Sequence, residues 1–511
     1  MHEILTSQDI EAFFKEGKRE VVIGDNAIVT AIACEIADRL GIKLIMAREK
    51  AGLNAFHEFP NVTEEIIDLL IKNGKLVIPG LGIVKGDLLV HNGKIVGLMS
   101  SSKIAAKRII DADDRYVIPG VVDPHVHLGL FQPLDMEMKS ELKSALVGGI
   151  TTVGLFLGGE DSHLPKIRQV ERYLEESAEA DIFLHACIMN RIQLDEIDEY
   201  LASGISSFKF YMCGIPGLIG EVTDDFLLEA FKRLSEKKGA IAVVHAENGP
   251  AVKWATEKMK HINVKTLQEW SNTHPVWAEV EAIERATLFA EVTGIPIYFV
   301  HISSQEGLNA VRRFKQKKLR VFAETTSPYL TLNFETTKIG VLGKMSPPIR
   351  SLHDSDALWE GCFDGSIDTI GTDNVTLTKR EKKVSAGMWE AIPGYPALGT
   401  HLSSLLDKGV HQKGFDLVKL VELISTNPAK IFGLFPQKGT LLPGSDADIV
   451  ILDLDREKTV VPQNLYSRSD FSLFDGERLK GWPLMTIKSG KVIAEDGYYL
   501  GEGKGGEVIF R

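Results

Sequence analysis

Between residues 117 and 372 the chain repeats one pattern eight times: a short apolar run, then an amphipathic stretch. The runs cover residues 117–126, 151–156, 182–188, 206–212, 240–245, 297–302, 320–324 and 367–372. Strands buried on both faces read as continuous apolar runs, and parallel strands need a crossover, usually helical, between them. The alternation therefore predicts an α/β fold with a parallel sheet. Eight such units in about 255 residues match a closed (β/α)8 barrel of TIM type, whose chemistry sits at the carboxyl ends of the strands. A doubly wound open sheet is the second choice.

The flanks read differently. Residues 75–97 hold short β runs, with Asn92-Gly93 at a hairpin turn. After the barrel, residues 417–434 read as helical, with Asn427-Pro428 starting a second helix. Residues 444–453 and 486–493 return to strand, the latter with a turn at Ser489-Gly490. Short β segments on both sides of a barrel predict that the chain ends meet in one small β-sandwich. The first residues read as a small α/β unit, with helices at 9–15 and 27–40 and strands at 20–24 and 43–46. The expected division is a 1–72 extension, a β-sandwich from 73–118 and 438–511, and a 119–437 barrel.

A length of 511 residues allows such an assembly, and a hydrophobic share of 44% supports a packed core. The formal charge of -12 argues against general nucleic-acid or anionic-membrane binding, which need a basic face. The four cysteines stand far apart without a CxxC pair, so neither a disulfide framework nor a thiolate metal site is expected. An acidic, amphipathic start and no apolar run of membrane length lead to the expectation of a cytoplasmic protein.

The strongest local signal is Asp123-Pro-His-Val-His127 at the end of the first barrel strand. Side chains alternate along a strand, so His125 and His127 face the same way, and imidazole suits zinc. His245 and His301 end the fifth and sixth strands in the same manner. Each alone is more often a hydrogen-bonded core histidine; four at strand ends suggest a metal site. Asp373 follows the eighth strand, where a buried carboxylate needs a cation or a donor; as a ligand that also takes a proton from water it has a reason to be there. Lys209 lies within the apolar fourth strand. It is an inward salt bridge, an edge of the barrel, or a lysine whose pKa falls on burial, so that the neutral amine takes up carbon dioxide as a carbamate able to bridge two metal ions.

The set His125, His127, Lys209, His245, His301 and Asp373 resembles the binuclear amidohydrolase superfamily. The resemblance extends to its hydantoinase, dihydropyrimidinase and allantoinase branch. Supporting matches are Gly148-Gly-Ile-Thr-Thr152, Met345-Ser-Pro-Pro-Ile-Arg350, Leu358-Trp-Glu-Gly361, Ser425-Thr-Asn-Pro-Ala-Lys430, Gly444-Ser-Asp-Ala-Asp448 and Gly481-Trp-Pro483. The resemblance covers residues 75–511. It implies an enzyme that opens a cyclic amide or ureide ring, of hydantoin or dihydropyrimidine type, by attack of a hydroxide bridging two divalent ions of zinc type. By position, His125, His127 and Asp373 would hold one ion, His245 and His301 the other, and carbamylated Lys209 would bridge them. Asp373 would also relay the proton to the leaving nitrogen. Ser346 falls where relatives bind the ring's amide edge. A homo-oligomer, dimer or tetramer, is also implied.

The pattern breaks in three places. Gly214 stands five residues after Lys209, where relatives carry an oxyanion-stabilising tyrosine; Tyr211 shares the inward face of Lys209 and is the candidate replacement. Gly394 stands for a loop asparagine of the substrate pocket. Asn374 replaces a histidine beside the eighth-strand aspartate. Dihydroorotases resemble HxHxR near the first strand, but here the run is His127-Leu-Gly129. A non-catalytic scaffold related to dihydropyrimidinase, or an amidohydrolase acting on another amide, are the alternatives.

Overall fold

The computed structural model describes residues 67–99, 104–215, 218–503 and 505–509, with short stretches and single positions before residue 67. There, strand β1 (Ile4–Leu5) pairs in parallel with β3 (Ile28–Val29), and β2 (Glu20–Ile23) with β4 (Lys43–Met46). The expected strands at 20–24 and 43–46 are present. Ile28–Val29 is strand, not the start of a helix, because it pairs with Ile4–Leu5. The rest of the expected helices at 9–15 and 27–40 lies almost wholly outside the described residues.

Strands β5 (Ile67–Ile78), β6 (Gly82–His91), β7 (Lys94–Met99), β8 (Ala106–Asp111) and β9 (Tyr116–Pro119) follow. The β6–β7 hairpin turns at Asn92 (φ 50°) and Gly93 (φ 73°), the left-handed pair that suits a two-residue turn. Strand β5 begins before residue 73 and bulges between Ile71 and Gly74, with β8 along its first half and β9 along its second.

The barrel comprises β10 (Val121–His127), β11 (Ile150–Leu157), β12 (Asp181–Cys187), β13 (Ser207–Tyr211), β14 (Ile241–His245), β15 (Ile297–Phe299), β16 (Val321–Thr326) and an eighth strand in two pieces, β17 (Thr369–Gly371) and β18 (Asn374–Val375). All pairs are parallel. Because β17 pairs with β16 while β18 pairs with β10, the sheet closes on itself. Closure excludes the open doubly wound sheet. Its interior is packed with Val122, Phe156, Phe183, Val243 and Tyr298, and Phe432, Leu434 and Ile509 join that cluster beside the start of β13.

The expected first strand, 117–126, is two strands in two sheets. Gly120 is the joint: a Cβ there would lie 2.1 Å from Thr151 Oγ1, so only glycine lets the chain pass from β9 into β10. The helical run after the barrel is continuous, with Leu417–Val421, a wider π-type turn over Glu422–Thr426, then Asn427–Ile431. Asn427 does not start a new helix; its side-chain amide donates to the Asp368 carbonyl at 2.9 Å.

Strands β19 (Ile449–Thr459), β20 (Arg478–Lys488), β21 (Lys491–Glu495) and β22 (Tyr498–Tyr499) return to the first sheet, where β19 runs antiparallel to β9. Both flanks thus share one sheet, in the order β22-β21-β20-β19-β9-β5-β6-β7. Leu69, Ile71, Leu88, Val117, Ile449 and Ile487 fill its apolar core. Among the described residues no helix is long and apolar enough to cross a membrane.

Candidate active site

Period-two alternation along β10 brings His125 and His127 to one side at the carboxyl mouth, as the sequence predicts. Their Nε2 atoms lie 3.2 Å apart, and Asp373 Oδ1 stands 3.2 Å from the first and 3.4 Å from the second. Asp373 sits at the break in the eighth strand with φ 53°, and His301 follows β15 with φ 41°. Such left-handed conformations cost energy for non-glycine residues and collect at functional sites. Asp123 anchors the break: its carboxylate accepts from Thr372 N at 3.0 Å, Thr372 Oγ1 at 2.6 Å and His125 N at 3.2 Å.

The His125 Nδ1 atom lies 2.6 Å from Glu324 Oε1. Burial pushes the Glu324 carboxyl up to about 8; when it is ionised, Nδ1 carries the ring proton and Nε2 keeps its lone pair, facing His127 and the Asp373 carboxylate. Converging acceptors repel unless a cation lies between them. His301 stacks on His125 with centroids 5.5 Å apart and meets His245 edge-on at 4.5 Å. His245 Nε2 is 2.9 Å from Glu247 Oε2, and Glu247 Oε1 is 2.8 Å from His274 Nδ1. That pairing leaves His245 Nδ1 as the free ring nitrogen.

Burial pushes His125 and His301 well below the usual histidine pKa, and His245 below it. Burial alone would raise Asp373, but His125, His127 and Lys209 hold it below the usual carboxylate value. Lys209 is fully buried, and its Nζ has no hydrogen-bond partner, lying 5.0 Å from the Phe156 ring and 4.9 Å from that of Tyr211. Burial pushes its pKa down to about 8. The salt-bridge alternative for Lys209 is absent among the described residues.

The family model described as "Amidohydrolase family" matches residues 116–493, most of the chain. The chain belongs to the amidohydrolase family. It is 33% identical over 463 residues to the L-hydantoinase of Paenarthrobacter aurescens, covering 87% of this chain and 98% of that one. The D-hydantoinase of Ralstonia pickettii is 32% identical over 461 residues, covering 87% and 99%. Among solved structures, the L-hydantoinase (dihydropyrimidinase) from Arthrobacter aurescens superposes with a TM-score of 0.83 at 32% identity, covering 87% of this chain and all of that one.

In this amidohydrolase one cavity at the barrel mouth is lined by His127, Lys209, Tyr211, His245, His301, Ser346, Asp373 and Gly394. His125 completes the donor set and lies wholly buried beside His127. The residues fit a pair of metal ions: four imidazoles, one carboxylate and an unpartnered buried amine converge. A second carboxylate cluster, Asp181, Asp446 and Asp448, already holds the Lys438 ammonium and is an ion-pair network.

The departures have physical causes. At Gly214 a Cβ would sit 2.7 Å from the Ile219 carbonyl, in a tight loop where Ile215 and Ile219 bond each other's backbone. No tyrosine fits there without moving that loop. Gly394 has φ 134° and its Cβ would meet Val375 at 2.9 Å, so the site offers backbone only. Asn374 turns away from Asp373, accepting from Ala397 N at 2.8 Å and approaching Thr376 Oγ1 at 3.3 Å.

Glu324, Glu247, His274 and Tyr298 were not found by sequence reasoning. Glu324 shares the alternation of the other strands in Val-Phe-Ala-Glu, and Glu247 stands two residues after His245, so both carried a signal; His274 carried none. Tyr298 Oη donates to Glu324 Oε2 at 2.8 Å. Partners of this kind orient ligand imidazoles and typically contribute about 10 to 100-fold in metal affinity. Glu324→Gln will therefore bind zinc about 10 to 100-fold more weakly in competition with a chelator while keeping its circular dichroism; unchanged affinity would contradict this role.

Proposed function

We propose that this amidohydrolase opens a cyclic amide or ureide ring of hydantoin or dihydropyrimidine type, using two divalent ions, zinc by preference. The observation that carries the reading is the convergence of His127, Lys209, His245, His301 and Asp373 on one cavity, with Lys209 Nζ buried and unpartnered. The two hydantoinase relatives, matched over nearly their whole length, support the substrate class.

His125, His127 and Asp373 would hold one ion, and His245 and His301 the other. With a pKa of about 8, Lys209 offers a usable fraction of neutral amine near neutral pH. Addition of carbon dioxide to that nitrogen with loss of a proton would give a carbamate, a further carboxylate-like ligand for the ions. When bound, the ions supply Lewis acidity that polarises the scissile carbonyl and makes water acidic enough to attack. Asp373 accepts the proton of the attacking water and delivers it to the leaving ring nitrogen. Ser346 and Gly394 hold the ring edge. The chain acts as a homo-oligomer, dimer or tetramer; Cys187, Cys213 and Cys362, all free and buried, suit the cytoplasm.

Tyr211 takes the place of the absent tyrosine as oxyanion donor, since it lines the cavity and Gly214 has no room for a side chain. A single oxyanion donor is worth about 10² to 10³ in kcat. Tyr211→Phe will lower kcat by about that factor with KM and metal content little changed; a kcat within threefold of the parent would remove Tyr211 from the mechanism.

The test of the reading is ring opening of hydantoin, 5-substituted hydantoins, dihydrouracil, dihydrothymine and allantoin by zinc-loaded protein reconstituted with bicarbonate. Turnover of at least one ring supports it. Failure on every ring with two ions bound would overturn the substrate class.

A further inference from the structure

Lys382 is fully buried and has no carboxylate partner among the described residues. Its Nζ instead donates to three carbonyls: Lys344 at 2.8 Å, Ile392 at 3.1 Å and Gly394 at 2.6 Å. Three acceptors need three protons, so the geometry calls for the ammonium, although burial and nearby Lys344 hold its pKa well below the usual lysine value. The clamp joins two loops, one after the seventh strand and one after the eighth. The Gly394 N–H donates to the Lys344 carbonyl at 3.2 Å across the same seam.

Two of the clamped carbonyls belong to the peptides that continue into Met345 and Tyr395. A trans peptide carries its N–H opposite its C=O, so these two N–H groups point away from the ammonium. Met345 and Tyr395 both line the catalytic cavity and are 1% exposed. Neither N–H meets an acceptor among the described residues. A buried donor without an acceptor is costly, and a cation on the far side of the same peptide strengthens that donor. Together these features leave two buried donors without acceptors on residues that line the cavity.

We propose that Lys382 is a positioning residue that presents the Met345 and Tyr395 N–H groups as donors for a carbonyl oxygen of the ring substrate. The assignment rests on the cyclic-amide reading above. In the metal-loaded protein, Lys382→Met, which keeps side-chain length and removes the charge, is expected to raise KM at least tenfold with kcat within threefold and both ions retained. Backbone amide exchange should quicken in residues 388–395 and not in the helix Leu352–Asp364. An unchanged KM, with activity lost only in proportion to folded protein, would overturn the proposal, as would unchanged exchange. The exchange readout needs no turnover, so it separates failure of the clamp from failure of the substrate reading. Should the variant not fold, a crystal structure of the parent with an unreactive ring analogue decides. Ring oxygens on the Met345 and Tyr395 N–H groups would support the role, and a ring held elsewhere would end it.

Discussion

Asp373→Asn will reduce ring opening about a thousandfold or more, the scale of a lost general base compounded by a lost ligand charge. The backbone has little reason to change, because asparagine tolerates the left-handed conformation that Asp373 adopts at φ 53°. The carboxylate lies 3.2 and 3.4 Å from two histidine nitrogens, and an amide there neither takes a proton nor balances a cation. Steady-state rates with matched circular dichroism check the prediction. A variant that keeps more than a tenth of the parental rate would mean that another group moves the proton.

The second large effect lies far from the mouth. Lys438 Nζ contacts Asp181 and stands 2.7 Å from both Asp446 and Asp448, while Lys488 lies 2.9 Å from Asp181 and 3.4 Å from Asp448. All five are nearly or fully buried, where Asp181 at the start of β12 meets Asp446 and Asp448 just before β19. Lys438→Met leaves Asp181 and Asp448 with Lys488 alone and Asp446 with the half-exposed Lys94. Breaking a buried ion pair typically costs about 3–5 kcal/mol, and that loss is expected as a lowered Tm or as failure to fold. A Tm unchanged within error would show that the network contributes little. The network also sets an acid limit. Burial alone would raise Asp446 and Asp448, but Lys438 with Lys94 holds Asp446, and Lys488 with Lys438 holds Asp448, below the usual value. Their contribution is therefore fully present above the unfolded pKa of ~3.9 and is lost as pH falls through the lower folded values.

Much of this was legible in the sequence because strand alternation and barrel topology speak through single residues. His125, His127, Lys209, His245, His301 and Asp373 are polar side chains at the ends of, or inside, apolar strands, and the structure brings them together at the barrel mouth. Glu324, inward in β16, follows the same rule. What stayed hidden depends on contacts distant in sequence. The run 117–122 is apolar on both sides of Gly120, so hydropathy cannot show that this glycine carries the chain from one sheet to another. Asn427-Pro428 reads as a helix start because proline lacks an N–H; the wider turn over Glu422–Thr426 just before it lets the run continue. The three-carbonyl clamp of Lys382 has no local signal, since its partners lie 38, 10 and 12 residues away.

The most direct test of the central claim is a zinc titration of chelated protein in bicarbonate buffer, with ring opening read at each addition. The account predicts negligible turnover without metal and a plateau at two ions per chain. Full turnover in the chelated protein, or a plateau reached at one ion per chain, would contradict a binuclear centre.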